Sequence, residues 1–138
     1  MTVATGDKQS YSYDTLKRLG MVTTANASGT TLFYTARSYA AGASSNQTTN
    51  RLSGFAYRKS GGGILNYNTY TYDAAGNLLS FTEGNTTHRY TYSDADWVVL
   101  LTSVSGKKGG TAFTGSYVYD GEGNPISRRM LRYLCERV

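Results

Sequence analysis

Cys135 and His88 are the only cysteine and the only histidine in a chain of 138 residues. A thiol and an imidazole can act as nucleophile and base if they lie within hydrogen-bond reach and a third group orients the ring. Nothing in the spacing supplies that third group. His88 sits in Thr86-Thr87-His88-Arg89-Tyr90, with no second His or Cys at metal-ligand spacing, so it reads as a strand-surface histidine. Ser93, Asp94 and Asp96 offer oxygens, but the further ligands and central glycine of a calcium loop are missing. Gly106-Lys107-Lys108-Gly109-Gly110 has the composition of a phosphate cradle without its Gly-x-x-x-x-Gly-Lys-Ser/Thr order. It reads as a mobile turn, as does Gly61-Gly62-Gly63. Asp14, Asp73 and Asp120 could be paired acids or calcium ligands. Each instead ends a tyrosine-bearing run, where a short acceptor caps the backbone amides of a bend. The sequence therefore predicts no enzyme, no metal site and no cofactor.

The elements that would position these groups are legible from the tyrosines. Four pairs, Tyr11-Ser-Tyr13-Asp14, Tyr70-Thr-Tyr72-Asp73, Tyr90-Thr-Tyr92-Ser93 and Tyr117-Val-Tyr119-Asp120, hold eight of the 13 tyrosines. Two continue alike, into Asp73-Ala74-Ala75-Gly76-Asn77-Leu78 and Asp120-Gly121-Glu122-Gly123-Asn124-Pro125-Ile126. In an extended strand Tyr70 and Tyr72 share one face while Thr71 and Asp73 share the other. Asp73 then forms an Asx-turn, and Gly76 takes the left-handed position that closes a type I turn with a bulge. Tyr117, Tyr119, Asp120, Gly123 and Asn124 repeat the device. Repetition of this kind fixes architecture: an all-β, antiparallel meander of successive hairpins, about five units long, two of them well formed.

The other units are weaker. In Asp14-Thr15-Leu16-Lys17-Arg18-Leu19 a lysine holds the glycine position. Positive φ would cost it about 1–2 kcal/mol, which predicts a differently shaped turn. Phe33-Tyr34 through Tyr39, followed by Asn50 to Phe55, is the candidate degenerate unit. Ala40 to Thr49 reads as a loop, Glu83-Gly84-Asn85-Thr86 as a turn, and Trp97-Val98-Val99-Leu100-Leu101 as a buried strand. The organisation expected is an N-terminal extension over 1–8, a repeat array over 9–127 and a basic tail over 128–138. Leu131, Leu134, Cys135 and Val138 in that tail fall on one stripe of a possible short helix.

Charge and composition exclude further classes. The net charge of +5 owes much to Arg128, Arg129, Arg132 and Arg137. A nucleic-acid footprint would spread along one face of the fold, so no nucleic-acid partner is expected. No run approaches the ~18 apolar residues of a membrane span. The N-terminal residues lack the apolar stretch of a secretory signal. With 16 glycines and few aliphatic residues, tyrosine must supply much of the buried area. Exposed tyrosines could instead stack on sugar rings. Their fixed place before each bend favours packing between strands.

The Tyr-x-Tyr-Asp-x-x-Gly-Asn-Leu signature resembles the YD-repeat, or RHS-repeat, family over roughly residues 9–127, most specifically at Tyr70 to Leu78 and Tyr117 to Ile126. The run Tyr90 to Trp97 is similar to the form found in RHS proteins of Gram-positive bacteria. The resemblance implies a β ribbon that winds into a shell around a toxin or effector domain. It implies a scaffold without catalytic residues, in proteins that are extracellular or attached to the cell envelope. Expected partners are the rest of a larger array, or other copies through open sheet edges, and an enclosed toxin domain. Carbohydrate binding at the cell envelope is the alternative. The chain looks like an excerpt of a longer array.

Overall fold

The computed structural model describes residues 6–42, 47–92, 100–108 and 110–133. They form ten strands: β1 (Lys8–Tyr13), β2 (Leu19–Ala25), β3 (Thr31–Ala41), β4 (Thr48–Lys59), β5 (Ile64–Tyr72), β6 (Leu78–Glu83), β7 (Thr86–Tyr92), β8 (Leu101–Lys108), β9 (Thr111–Tyr119) and β10 (Pro125–Tyr133). Each is hydrogen-bonded to its neighbours in the chain, in the order β1 to β10, within one open antiparallel sheet. No helix occurs among the described residues. The all-β meander expected from the repeats is the architecture found.

Several local expectations are corrected. Arg128 to Tyr133 are strand, paired with Tyr117 to Ala112 of β9. A ready hydrogen-bonding edge wins over a short helix with a costly nucleus. Leu134, Cys135 and Val138 lie outside the described residues. Ala40 and Ala41 continue β3, and Thr48 and Thr49 open β4. The loop shrinks because both threonine hydroxyls donate to the Ala40 carbonyl (3.3 and 3.1 Å) while the Gly42 amide donates to Gln47 O at 2.7 Å. Asn50 to Phe55 are strand as well, so Phe33–Tyr39 and Asn50–Phe55 are facing arms of one hairpin. Gly106 to Lys108 belong to β8, paired with Phe113 to Thr111. Of the strand expected over Trp97–Leu101, residues 97–99 lie outside the described residues; Leu100 is a bend and Leu101 opens β8. The turn expected at Glu83–Thr86 is present: the two residues pair across a two-residue bend with Gly84 at φ 55°.

Two compact units divide the chain, Met1–Thr69 and Tyr70–Val138. In the first, Phe33 on β3 and Tyr57 on β4 meet edge to face at 5.4 Å. Thr24 and Ala56 are buried there, at 6% and 5% exposure. In the second, aromatic side chains line one face of the sheet. Among the described residues Thr24 and Ala56 are the buried non-glycine positions, and no large side chain is fully buried. Leu16, Ile64, Leu65, Val118 and Ile126 are all more than half exposed.

Candidate functional site

Five bends share one backbone frame. The amide of the first residue donates to the carbonyl of the fifth, and the amide of the fourth donates back to the carbonyl of the first. The first residues are Asp14, Asn26, Lys59, Asp73 and Asp120. In the Asp73 bend these bonds are 3.0 and 3.1 Å, from Asp73 N to Asn77 O and from Gly76 N to Asp73 O. The carboxylate completes the frame. Oδ1 accepts from the amides of Gly76 (2.7 Å) and Asn77 (2.8 Å), and Oδ2 accepts from Asn77 Nδ2 (2.8 Å). Gly76 carries φ 101°, a region that side chains resist.

Asp120 builds the same frame, with the amide of the third residue in place of the fourth on its Oδ1. Its Oδ1 accepts from Glu122 N (3.1 Å) and Asn124 N (2.8 Å), its Oδ2 from Asn124 Nδ2 (3.0 Å), and Gly123 has φ 84°. The Asp14 bend reaches the same frame differently. Lys17 sits at φ 63°, and Arg18 takes the place of asparagine. Arg18 donates its amide to Asp14 Oδ1 (3.0 Å) and its Nε to Oδ2 (2.7 Å), with NH2 2.6 Å from the same oxygen. The different turn shape expected for lysine is therefore not adopted.

These contacts determine the electrostatics. The side-chain hydrogen bond from Arg18, with its backbone amide, holds Asp14 below the usual carboxylate range. Asn77 does the same for Asp73, and Asn124 for Asp120. A carboxylate whose lone pairs accept two amides and a side-chain donor is stabilised in its charged form. It is a poor general base. The three acids belong to separate bends, and among the described residues no group of His, Cys, Asp or Glu is arranged to hold a metal ion.

Several tyrosines serve strand packing. Tyr70 lies 5.4 Å from Phe81. Tyr119 donates its hydroxyl to the Leu101 carbonyl at 2.9 Å, and Tyr39 donates to Leu19 O at the same distance. Leu19 and Leu101 each open a strand, and each faces the second tyrosine of a pair, Tyr13 and Tyr92, beside a register shift. The freed carbonyl at such a shift needs a donor, and a tyrosine one strand further on provides it. Burial, then the neighbouring Tyr90 and Asp73, pushes the Tyr92 hydroxyl up. Tyr117 lies under the Arg128 guanidinium, 5.9 Å away. Tyr72 ends β5 and is half-buried, whereas Tyr11, Tyr13 and Tyr67 are exposed.

His88 stands in the middle of an aromatic ladder. Its ring stacks on Phe81 (6.0 Å, 19° between planes) and meets Phe113 at 5.8 Å. The ladder runs from Tyr70 through Phe81 and His88 to Phe113, and so from β5 to β9. Gly106 of β8 makes this possible. A Cβ there would lie 2.7 Å from His88 Nδ1 and 3.2 Å from the Phe113 ring. His88 is thus a packing residue, between Phe81 on the adjacent β6 and Phe113 on β9 beyond β8. Cys135 lies outside the described residues.

Residues alternate across a strand, so the other face of this unit has a different chemistry. It carries hydroxyls: Thr71 with Ser80 (2.7 Å), Thr82 with Thr87 (2.9 Å), and Ser105 opposite Thr114. Sequence reasoning missed the Asn26–Thr30 bend, whose Asn26 Oδ1 accepts from Thr30 N at 2.9 Å beside Gly29 at φ 88°. Its signal was present as an Asn-x-x-Gly spacing, without tyrosines ahead of it.

Comparison with known proteins gives a family model that matches part of the chain, and a fold. The model for the RHS Repeat family matches residues 72–111. No curated protein matches the chain. Among solved structures the chain is similar to the Photorhabdus luminescens Tc holotoxin pore with a mutated TccC3, at TM-score 0.58 and 20% identity over 95% of this chain. It is also similar to the TcdB2-TccC3 complex with Cdc42 and to TcdB2-TccC3, at TM-scores of 0.56 and 0.55, 20% identity and 91% coverage. The chain spans 8% of the length of each of those chains. At this identity the likeness is one of fold.

Proposed function

We propose that this chain, which carries an RHS repeat over residues 72–111, is a non-catalytic segment of wall in a larger repeat array that encloses or displays a toxin or effector polypeptide. Its residues 9–127 act as the repeats. Tyr70, Tyr72, Asp73, Gly76 and Asn77, with Tyr117, Tyr119, Asp120, Gly123 and Asn124, are the structural positions of those repeats. Residues 1–8 are an N-terminal extension and 128–138 a basic C-terminal tail, of which residues up to Tyr133 belong to β10. The parent protein works outside the cell or at the cell envelope, as the likeness to toxin-complex structures suggests. No helix among the described residues is long and apolar enough to cross a membrane.

The observation that carries this reading is the large exposed surface of the sheet. The accessible surface is 10015 Å², against roughly 7,000 Å² for a compact chain of 15.0 kDa. The excess is larger than the roughly 1,200–2,000 Å² buried in a standard interface and falls in the range of permanent assemblies. An exposed sheet with unpaired outer strands recruits further strands. β1 is exposed along its whole length.

Light scattering coupled to size exclusion tests the reading. The 138-residue chain should self-associate in a concentration-dependent way. Addition of neighbouring repeats to the same chain should replace that association with a monodisperse species. A sharp, stable monomer of the chain alone would overturn the wall role. A glycan array provides the second arm: binding that disappears in Tyr13→Ala or Tyr67→Ala would point to carbohydrate recognition instead.

A further inference from the structure

The hydroxyl-bearing face of the second unit holds a cleft of about 380 Å³ across β7, β8 and β9. That volume lies at the small end for ligand sites, which run from about 300 to 1,000 Å³. Thr87 and Arg89 of β7, Ser105 and Lys107 of β8, and Ala112 and Thr114 of β9 line it. The register brings them together: Arg89 faces Ser105, Ser105 faces Thr114, and Lys107 faces Ala112. Arg89 and Lys107 are therefore diagonal neighbours on adjacent strands, close enough for long side chains to converge. Both are exposed. Neither is held by an ion pair or hydrogen bond among the described residues.

We propose that this cleft binds the carboxylates of an acidic peptide segment. The guanidinium offers a planar fork to a carboxylate, and the ammonium adds a second charge beside it. Hydroxyls of Ser105 and Thr114 supply further donors on the floor. Ala112 and Ser105 are short, so an extended backbone can approach the sheet. No carboxylate lines the cleft to compete. The Tyr70, Phe81 and His88 rings lie on the opposite face, and Phe113 is the one aromatic residue among those lining the cleft, so a base or sugar finds no pair of stacked rings here. The anion site stands on geometry alone. Only the choice of a polypeptide over a free oxyanion rests on the wall role proposed above.

Fluorescence anisotropy on the 138-residue chain tests it, with a labelled ten-residue glutamate peptide, the matching glutamine peptide, and inorganic phosphate as competitor. The glutamate peptide should bind and the glutamine peptide should not. Arg89→Gln with Lys107→Gln should weaken binding about tenfold or more, the scale of losing charge-assisted hydrogen bonds. Arg128→Gln with Arg129→Gln removes the same charge from β10 and should change binding less than about twofold if the site is local. No glutamate binding, equal loss in both double variants, or binding indifferent to Arg89 and Lys107 each overturns the site. Phosphate that displaces the peptide at concentrations matching the peptide's own affinity reassigns it to a free anion and overturns the peptide. Circular dichroism confirms that each variant remains folded. Because self-association tests the wall and peptide binding tests the cleft, the two proposals fail separately.

Discussion

The bend at Asp14–Arg18 in the first unit and the bend at Asp73–Asn77 in the second have one hydrogen-bonded frame on different residues. Both begin with an aspartate whose Oδ1 accepts two backbone amides. They part at the fourth and fifth positions. Gly76 and Asn77 form the bend without side-chain strain, and the asparagine spends its amide on Asp73. Lys17 adopts φ 63°, at a cost of about 1–2 kcal/mol. Arg18 offsets that cost by reaching well beyond the bend. Its guanidinium donates to Thr48 Oγ1 at 2.7 Å and to the Thr49 carbonyl, and it lies 4.1 Å over the Tyr39 ring. In both, the aspartate at the first position supports the frame. The fourth position tolerates a side chain when the fifth brings interactions of its own.

The largest expected effect comes from forcing the second bend to resemble the first. Gly76→Val puts a β-branched residue at φ 101° and should destabilise the protein by about 2–3 kcal/mol, read as a lower midpoint in urea. The same change at Lys17 should cost clearly less, because that position already holds a side chain. Equal losses would mean that the two frames are not equivalent. A smaller, opposite effect is expected from Lys17→Gly, which relieves the left-handed strain and should stabilise by up to about 1 kcal/mol. If it destabilises, the lysine contributes something that the strain argument omits.

The smallest effect concerns acid. Asp14, Asp73 and Asp120 are depressed from 3.8 by their donors. A depressed folded-state value means stability that is present above the unfolded-state pKa and lost as pH falls through the folded-state value. The urea midpoint should therefore drop between about pH 5 and about pH 2. Asp73→Asn should make that drop shallower, since one titrating group is gone. An Asp14→Asn variant should combine a shallower drop with loss of the Arg18 ion pair. A slope unchanged in both variants would show that the bends do not govern acid sensitivity.

How far the sequence reached depended on whether a signal was local. The Asp73–Asn77 bend stands where its acceptor and glycine spacing put it, and strand alternation around Tyr70 and Tyr90 was readable from period two. Lys59–Gly63 was readable only as a glycine run. Its frame has no side-chain acceptor, and Gly61 and Gly62 supply the positive φ themselves. Gly106 misled because a glycine beside two lysines has the composition of a loop. The reason it lies in a strand is the space needed by the His88 and Phe113 rings, which no local pattern encodes. Arg128 to Tyr133 misled in the same way, since a helical stripe in a short segment yields to an available edge. The ladder and the cationic cleft were out of reach. Each draws its members from several strands, and only register joins them.

The order of the strands has a consequence for how such a sheet is made. Each strand pairs with the one that precedes it in the chain. As the polypeptide leaves the ribosome, every new hairpin arm finds its template already synthesised, and no edge has to wait for a distant segment. Loop closure stays short at each step, which favours fast growth from one end. The same arrangement lets a genome lengthen the sheet by copying hairpins between bends, because no existing strand has to be rethreaded.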